Sequence, residues 1–174
     1  SRYGFVEDVK KKYEKIKKLF TKKQQERIEV ALGRVQKFVD LQDSSQFCFI
    51  HGDYHLCNIL SQDNKVTGLI DMDWGRVGIF LEDLAFFIMM MMRNYTHEKF
   101  IFDKERYHKL ISYYLLQEDH GEIFVEYLIL YVLYDVFVFQ TYKNIKNGEY
   151  YLSYQRSYLE SILKETEKFE IKRN

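Results

Sequence analysis

FCFIHGDYHLCNILSQDNKVTGLIDMDWGRVGIFLEDLA, residues 47–85, decides how the rest of this chain is read. Phe47-Cys48-Phe49-Ile50 is a short apolar run of β-formers that stops at His51-Gly52-Asp53. Asn58-Ile59-Leu60 and Val66-Thr67-Gly68-Leu69-Ile70 are two further apolar runs, separated by the turn-forming Gln62-Asp63-Asn64-Lys65. The spacing predicts a strand, a polar loop and a short hairpin whose ends bring acids together. Asp53, Asn58 and Asp71 then lie at strand ends and loop positions around one small volume. Two carboxylates and an amide form an oxygen-rich set, which suits a hard cation such as Mg²⁺.

His51-Gly52-Asp53 followed by Asn58 resembles the H-x-D-x-x-x-x-N catalytic loop of protein-kinase-like enzymes. With Gly after the His, it is similar to the aminoglycoside phosphotransferase and choline kinase branch. Ile70-Asp71-Met72-Asp73 matches that branch's I-D-x-[DE] metal-binding segment, and Glu82-Asp83-Leu84-Ala85 resembles its D-L-A helix start. Three linked signals in one order make the resemblance specific over residues 47–85. There are departures: Leu56-Cys57 stands where the family often has Pro-Gly, and the chain contains no proline. Neither removes an oxygen ligand.

The resemblance implies a mainly α fold with a few short β-strands, the helical carboxy-terminal lobe of a protein-kinase-like fold. It implies a kinase that transfers the γ-phosphate of ATP, or GTP, to a small-molecule acceptor with the help of Mg²⁺. Asp53 would be the catalytic base, while Asn58 and Asp71 would hold the metal. His51 and Asp83 would support the loop. Family members also carry a β-rich amino-terminal nucleotide lobe, and residues 1–46 show no strand-turn-strand pattern. The expectation is one helical catalytic lobe over residues 1–174: a helical lead-in at 1–46, the catalytic and metal loops at 47–85, and a helical subdomain at 86–174. The nucleotide lobe is expected as a missing partner, so the chain reads as a truncated or proteolysed piece with little activity alone.

Composition narrows the alternatives. Hydrophobic residues make up 47% and aromatics 17%, which argues against disorder, and the net charge is zero. Residues 1–40 hold 12 Lys/Arg against 6 Asp/Glu. Aromatics do not interleave with those lysines as base-stacking surfaces require, so solvated helix faces are favoured over a nucleic-acid partner. Cys48 and Cys57 make neither a disulfide framework nor a zinc motif, and a reduced, cytoplasmic setting is expected. Residues 84–92 are too short to span a bilayer, and residues 123–139 are interrupted by Glu126 and Asp135; both read as buried helices, with no membrane partner.

Outside the central stretch the period is helical. Val6, Val9, Tyr13, Ile16, Leu19 and Phe20 form one stripe; Thr21 is placed to cap a second helix, with Ile28, Ala31, Leu32, Val35, Phe38 and Val39 inward. An apolar helix is expected from Glu82 to Arg93, with Met89, Met90, Met91 and Met92 as packing residues. Asp103 is expected to cap a helix to Gln117 with Tyr107, Leu110, Ile111, Tyr114 and Leu115 inward, ended by His120-Gly121. Two more helices are expected, from Glu122 to Tyr142 and from Tyr150 to Phe169, with a turn at Asn147-Gly148 between them.

Several assignments stay open on sequence alone. Asp73 suits either the acceptor side or the metal, and His55 receives no role. Tyr127, Tyr131 and Tyr134 share one helix face near Asp135. That is either a core stripe or, since aromatic faces beside a carboxylate attract amines, a pocket for a cationic, choline- or aminoglycoside-like acceptor. Two rival readings exist. One is a kinase-like binding or structural protein without turnover, of the spore-coat-relative type. The other is a metallohydrolase built on His51, Asp53, His55 and Asp71.

Overall fold

The structure is a computed structural model that describes residues 4–91, 93–95, 100–103, 105–107, 109, 118–144 and 147–171. It is mainly α with short antiparallel strands, the fold class expected. Helix α1 (Gly4–Ile16) and helix α2 (Lys22–Asp40) lead into strand β1 (Phe47–Ile50). The hairpin of β2 (Ile59–Gln62) and β3 (Lys65–Leu69), strand β4 (Arg76–Ile79) and helix α3 (Phe80–Met91) follow. A second hairpin, β5 (Arg93–Tyr95) with β6 (Phe100–Phe102), precedes helices α4 (Glu118–Thr141) and α5 (Gly148–Ile171).

The α1 and α2 stripes bury Val6, Val9, Tyr13 and Ile16, and Ile28, Ala31, Leu32, Val35 and Val39. α2 starts on a capping box, in which the Thr21 hydroxyl accepts the Gln24 N–H at 3.3 Å and Gln24 Oε1 accepts the Thr21 N–H at 2.9 Å. α4 is the hub of the core, in contact with α1, α2, α3 and α5. By length and composition, its Ile123–Thr141 stretch could cross a membrane; here 61% of the apolar window is buried inside the fold. Glu126, its one deeply buried acid among the described residues, is held by Arg27 Nη1 at 2.6 Å and Arg34 Nη1 at 2.8 Å, both from α2. A charge in that apolar setting needs such partners.

Three features depart from the sequence reading. Arg76-Val77-Gly78-Ile79 is a strand that pairs antiparallel with β1, Phe47 opposite Ile79 and Ile50 opposite Arg76. α3 begins at Phe80 and stops at Met91, so Arg93 belongs to the β5–β6 hairpin, which no pattern announced. His120-Gly121 does not end a helix but lies inside α4, since backbone hydrogen bonding continues through it. Asp103 does open a helical turn, with Oδ1 accepting the Arg106 N–H at 2.9 Å, and Tyr107 is buried behind it. Leu110, Ile111, Tyr114, Leu115 and Gln117 lie outside the described residues, as does Met92.

Candidate active site

β1 delivers the chain to His51 at the mouth of the β1–β4 ribbon, where the first turn of α3 meets it. The Asp83 carboxylate accepts two consecutive backbone N–H groups, His51 at 2.6 Å and Gly52 at 2.8 Å. Gly52 turns with φ +80°, and a Cβ there would fall 2.3 Å from the Trp74 carbonyl oxygen and 2.6 Å from Arg76 Nη1. No side chain fits that position.

The His51 ring is buried and fully used. Its Nδ1 accepts the Asp53 N–H at 3.3 Å, so the proton of the neutral ring sits on Nε2, which donates to the Ile70 carbonyl at 2.8 Å. One imidazole therefore ties the Asp53 loop to the residue before Asp71. With both nitrogens committed, His51 is neither a free base nor a metal ligand, which removes the metallohydrolase arrangement. Among the described residues, no three His, Cys, Asp or Glu side chains converge as a metal cluster.

Asn58 is the second tie. Its Nδ2 donates to the Asp53 carbonyl at 2.9 Å and to Asp53 Oδ2 at 3.2 Å, and its backbone carbonyl accepts the Ile70 N–H at 3.0 Å. Both amide hydrogens are thus spent on Asp53, which leaves Oδ1 as the atom able to ligate. Asp71 follows directly, exposed, in the left-handed region at φ 61° and ψ 59°, before a short 3₁₀ turn over Met72–Trp74. Asn58 is thus tied to Asp53 and, through its backbone carbonyl, to Ile70, and Asp71 stands one residue beyond that tie. Asp73 is exposed within that 3₁₀ turn.

The tyrosine stripe lies on α4. Tyr127 and Tyr131 are buried in the core, Tyr131 stacked on Phe5 at 4.3 Å and Tyr127 edge-on to Phe38. The Tyr134 ring already carries the chain's own Lys12 ammonium, 4.8 Å from its centroid. Asp135 is half-buried on the same helix. Tyr131 is also edge-on to Phe86 of α3 at 5.3 Å, and of the two readings of the stripe the core one describes Tyr127 and Tyr131. A cleft of about 510 Å³ lies between α1 and α2, lined by residues such as Tyr13, Leu32 and Gly33, and none of the loop residues lines it.

Two features carried no role in the sequence reading. Glu82, buried at the α3 start, accepts the Ile79 N–H at 3.2 Å and pairs with Arg76 Nη2 at 2.7 Å. Burial pushes its carboxyl above the ordinary value, while Arg76 pulls the other way. An acid three residues into a helix was the available signal. Around the loop unit, Leu60, Leu69 and Ile70 are exposed, as are Phe49 and Trp74 at 63% and 64%. That is a large apolar surface for one small region.

The fold is mainly helical, and its paired loops carry two acids, Asp53 and Asp71, and the amide of Asn58. The family model described as "Phosphotransferase enzyme family" (APH) matches residues 5–118, and the chain belongs to this family. It is thereby a phosphotransferase by family. No curated protein matches the chain.

Proposed function

We propose that the full-length protein transfers the γ-phosphate of ATP, or GTP, to a hydroxyl of a small molecule. The observation that carries this reading is the tie of Asn58 to Asp53, with the Asn58 backbone carbonyl anchoring Ile70 directly before Asp71. Asp53 Oδ2 is taken by the Asn58 amide, so Oδ1 is the atom that accepts the acceptor's hydroxyl proton. The oxygen of that hydroxyl then bonds to the γ-phosphorus as the bond to the β-phosphate oxygen breaks, releasing ADP. Such transfer asks the protein mainly for alignment and charge placement.

The residues present fit Mg²⁺. Asn58 Oδ1 and the Asp71 carboxylate are hard oxygen donors, and a two-ligand site suits an ion that keeps waters and substrate phosphates for its other positions. When bound, the ion neutralises phosphate charge. The exposed Leu60, Leu69 and Ile70 offer an apolar surface against which a purine can lie. We further propose that a nucleotide lobe outside this chain covers that surface. Preference for a cationic acceptor would rest on Asp73 at the rim, because Tyr127 and Tyr131 are in the core. Free, exposed Cys48 and Cys57 fit a reducing, cytoplasmic location.

The test is Asp53→Asn in the full-length protein, followed by ADP release with Mg·ATP. Turnover is expected to fall about a hundredfold or more, the range of a general base, with Mg·ATP affinity retained. Near-normal turnover would remove Asp53 from the mechanism.

A further inference from the structure

We infer that His55 is a positioning residue that holds the Asp53 carboxylate in its working rotamer, an inference that rests on the function proposed above. His55 stands at the start of the 3₁₀ turn Leu56–Asn58 with extended backbone, φ −144° and ψ 169°. Its Nδ1 accepts the Cys57 N–H at 3.2 Å. An accepting Nδ1 carries no proton, so in the neutral ring the proton is on Nε2.

That Nε2 lies 3.4 Å from Asp53 Oδ2 and 3.3 Å from Asn58 Nδ2. The Asn58 nitrogen already spends its hydrogens on the carbonyl and Oδ2 of Asp53. The His–Asn approach is therefore two donors meeting over one acceptor, and that acceptor is Asp53 Oδ2. At 3.4 Å the two groups are in contact without a formed hydrogen bond, and catalytic contacts of this kind commonly tighten once substrate is bound. The ring is restrained from behind, tilted against Phe86 of α3 at 6.3 Å, and the side chain is only 21% exposed.

The consequence is a division of labour within Asp53. Oδ2 accepts a hydrogen bond from Asn58 and faces His55 Nε2 at 3.4 Å, which disfavours its rotation toward the acceptor. Oδ1 is the oxygen that remains for it. His55 has two separable jobs, capping the turn through Nδ1 and gripping Asp53 through Nε2, and two substitutions separate them. In His55→Asn the amide oxygen replaces Nδ1 as the cap, and nothing reaches Asp53. In His55→Gln the amide nitrogen reaches the place of Nε2 and the cap is lost.

The experiment measures Mg²⁺-dependent ADP release from ATP, with water as acceptor, in full-length wild type, Asp53→Asn, His55→Asn and His55→Gln. Thermal melting of each is recorded alongside. His55→Asn is expected to lose about tenfold in kcat, the worth of one charge-assisted hydrogen bond, with KM for Mg·ATP within about twofold. His55→Gln is expected to recover most of that loss even where its melting temperature is the lower of the two. A kcat for His55→Asn equal to wild type, or equal losses in both variants, would overturn the inference while the proposed function stands. Wild type without Mg²⁺-dependent turnover, or Asp53→Asn as active as wild type, would take down the function and this inference together.

Discussion

Replacing Asp83 by Ala removes the brace under the loop, and the cost can be worked from the geometry. Two backbone N–H groups, of His51 and Gly52, lose an ionised acceptor at 2.6 and 2.8 Å. Hydrogen bonds to charged groups contribute about 1.5–3 kcal/mol each. Asp83 is half-buried, so water replaces part of the loss and the low end applies. The expected destabilisation is about 3 kcal/mol, or roughly 6–12 °C in Tm for a chain of this size. Asp83→Asn keeps one acceptor oxygen but turns an amide N–H toward the second backbone donor, so it should lose at least half as much. Thermal unfolding of both variants is the assay. A melting temperature within about 2 °C of wild type for Asp83→Ala would refute the reasoning, because it would mean the loop holds its shape without the carboxylate.

Glu126→Ala strands the buried Arg27 guanidinium and should cost about 3–5 kcal/mol in urea unfolding, whereas Arg34→Ala, whose half-exposed side chain reaches water, should cost under about 1 kcal/mol. Equal effects would contradict the burial argument. The tyrosines Tyr13, Tyr107, Tyr127 and Tyr131 have hydroxyl pKa values raised by burial above the ordinary 10.0. The native state therefore holds protons that the unfolded chain releases, so this stability is complete below pH 10.0 and is lost as pH rises above it. Absorbance titration should find these phenols ionising together with unfolding; independent early ionisation in a chain still folded would contradict it.

Local signals were the legible ones. Thr21 marked the α2 start, and Asp63-Asn64 marked the β2–β3 turn, where both residues take positive φ. Asp71 comes one residue past Asn58's partner because a hairpin returns residue 70 to residue 58. What was not legible depends on distant partners. β4 is four residues long and is a strand because it pairs with β1, whose ends lie 26 to 32 positions earlier in register. Glu126 looked like an interruption until Arg27, 99 positions away, supplied its charge partner. The tyrosine stripe of α4 has helical period in either reading; only the packing of Phe5 and Phe38 against it makes Tyr127 and Tyr131 core. At His120-Gly121 the local stop signal is overridden by a helix whose burial lies further on. His55 depends on a ring orientation that no spacing encodes.

The most direct measurement of the central claim is calorimetric titration of the full-length protein with ATP, with and without Mg²⁺, for wild type and Asp71→Ala. Wild type should bind more tightly with Mg²⁺, and Asp71→Ala should lose most of that increment while its Mg²⁺-free affinity is unchanged, because the carboxylate acts through the ion. Equal losses with and without Mg²⁺, or no Mg²⁺ increment in wild type, would contradict a metal site on Asn58 and Asp71.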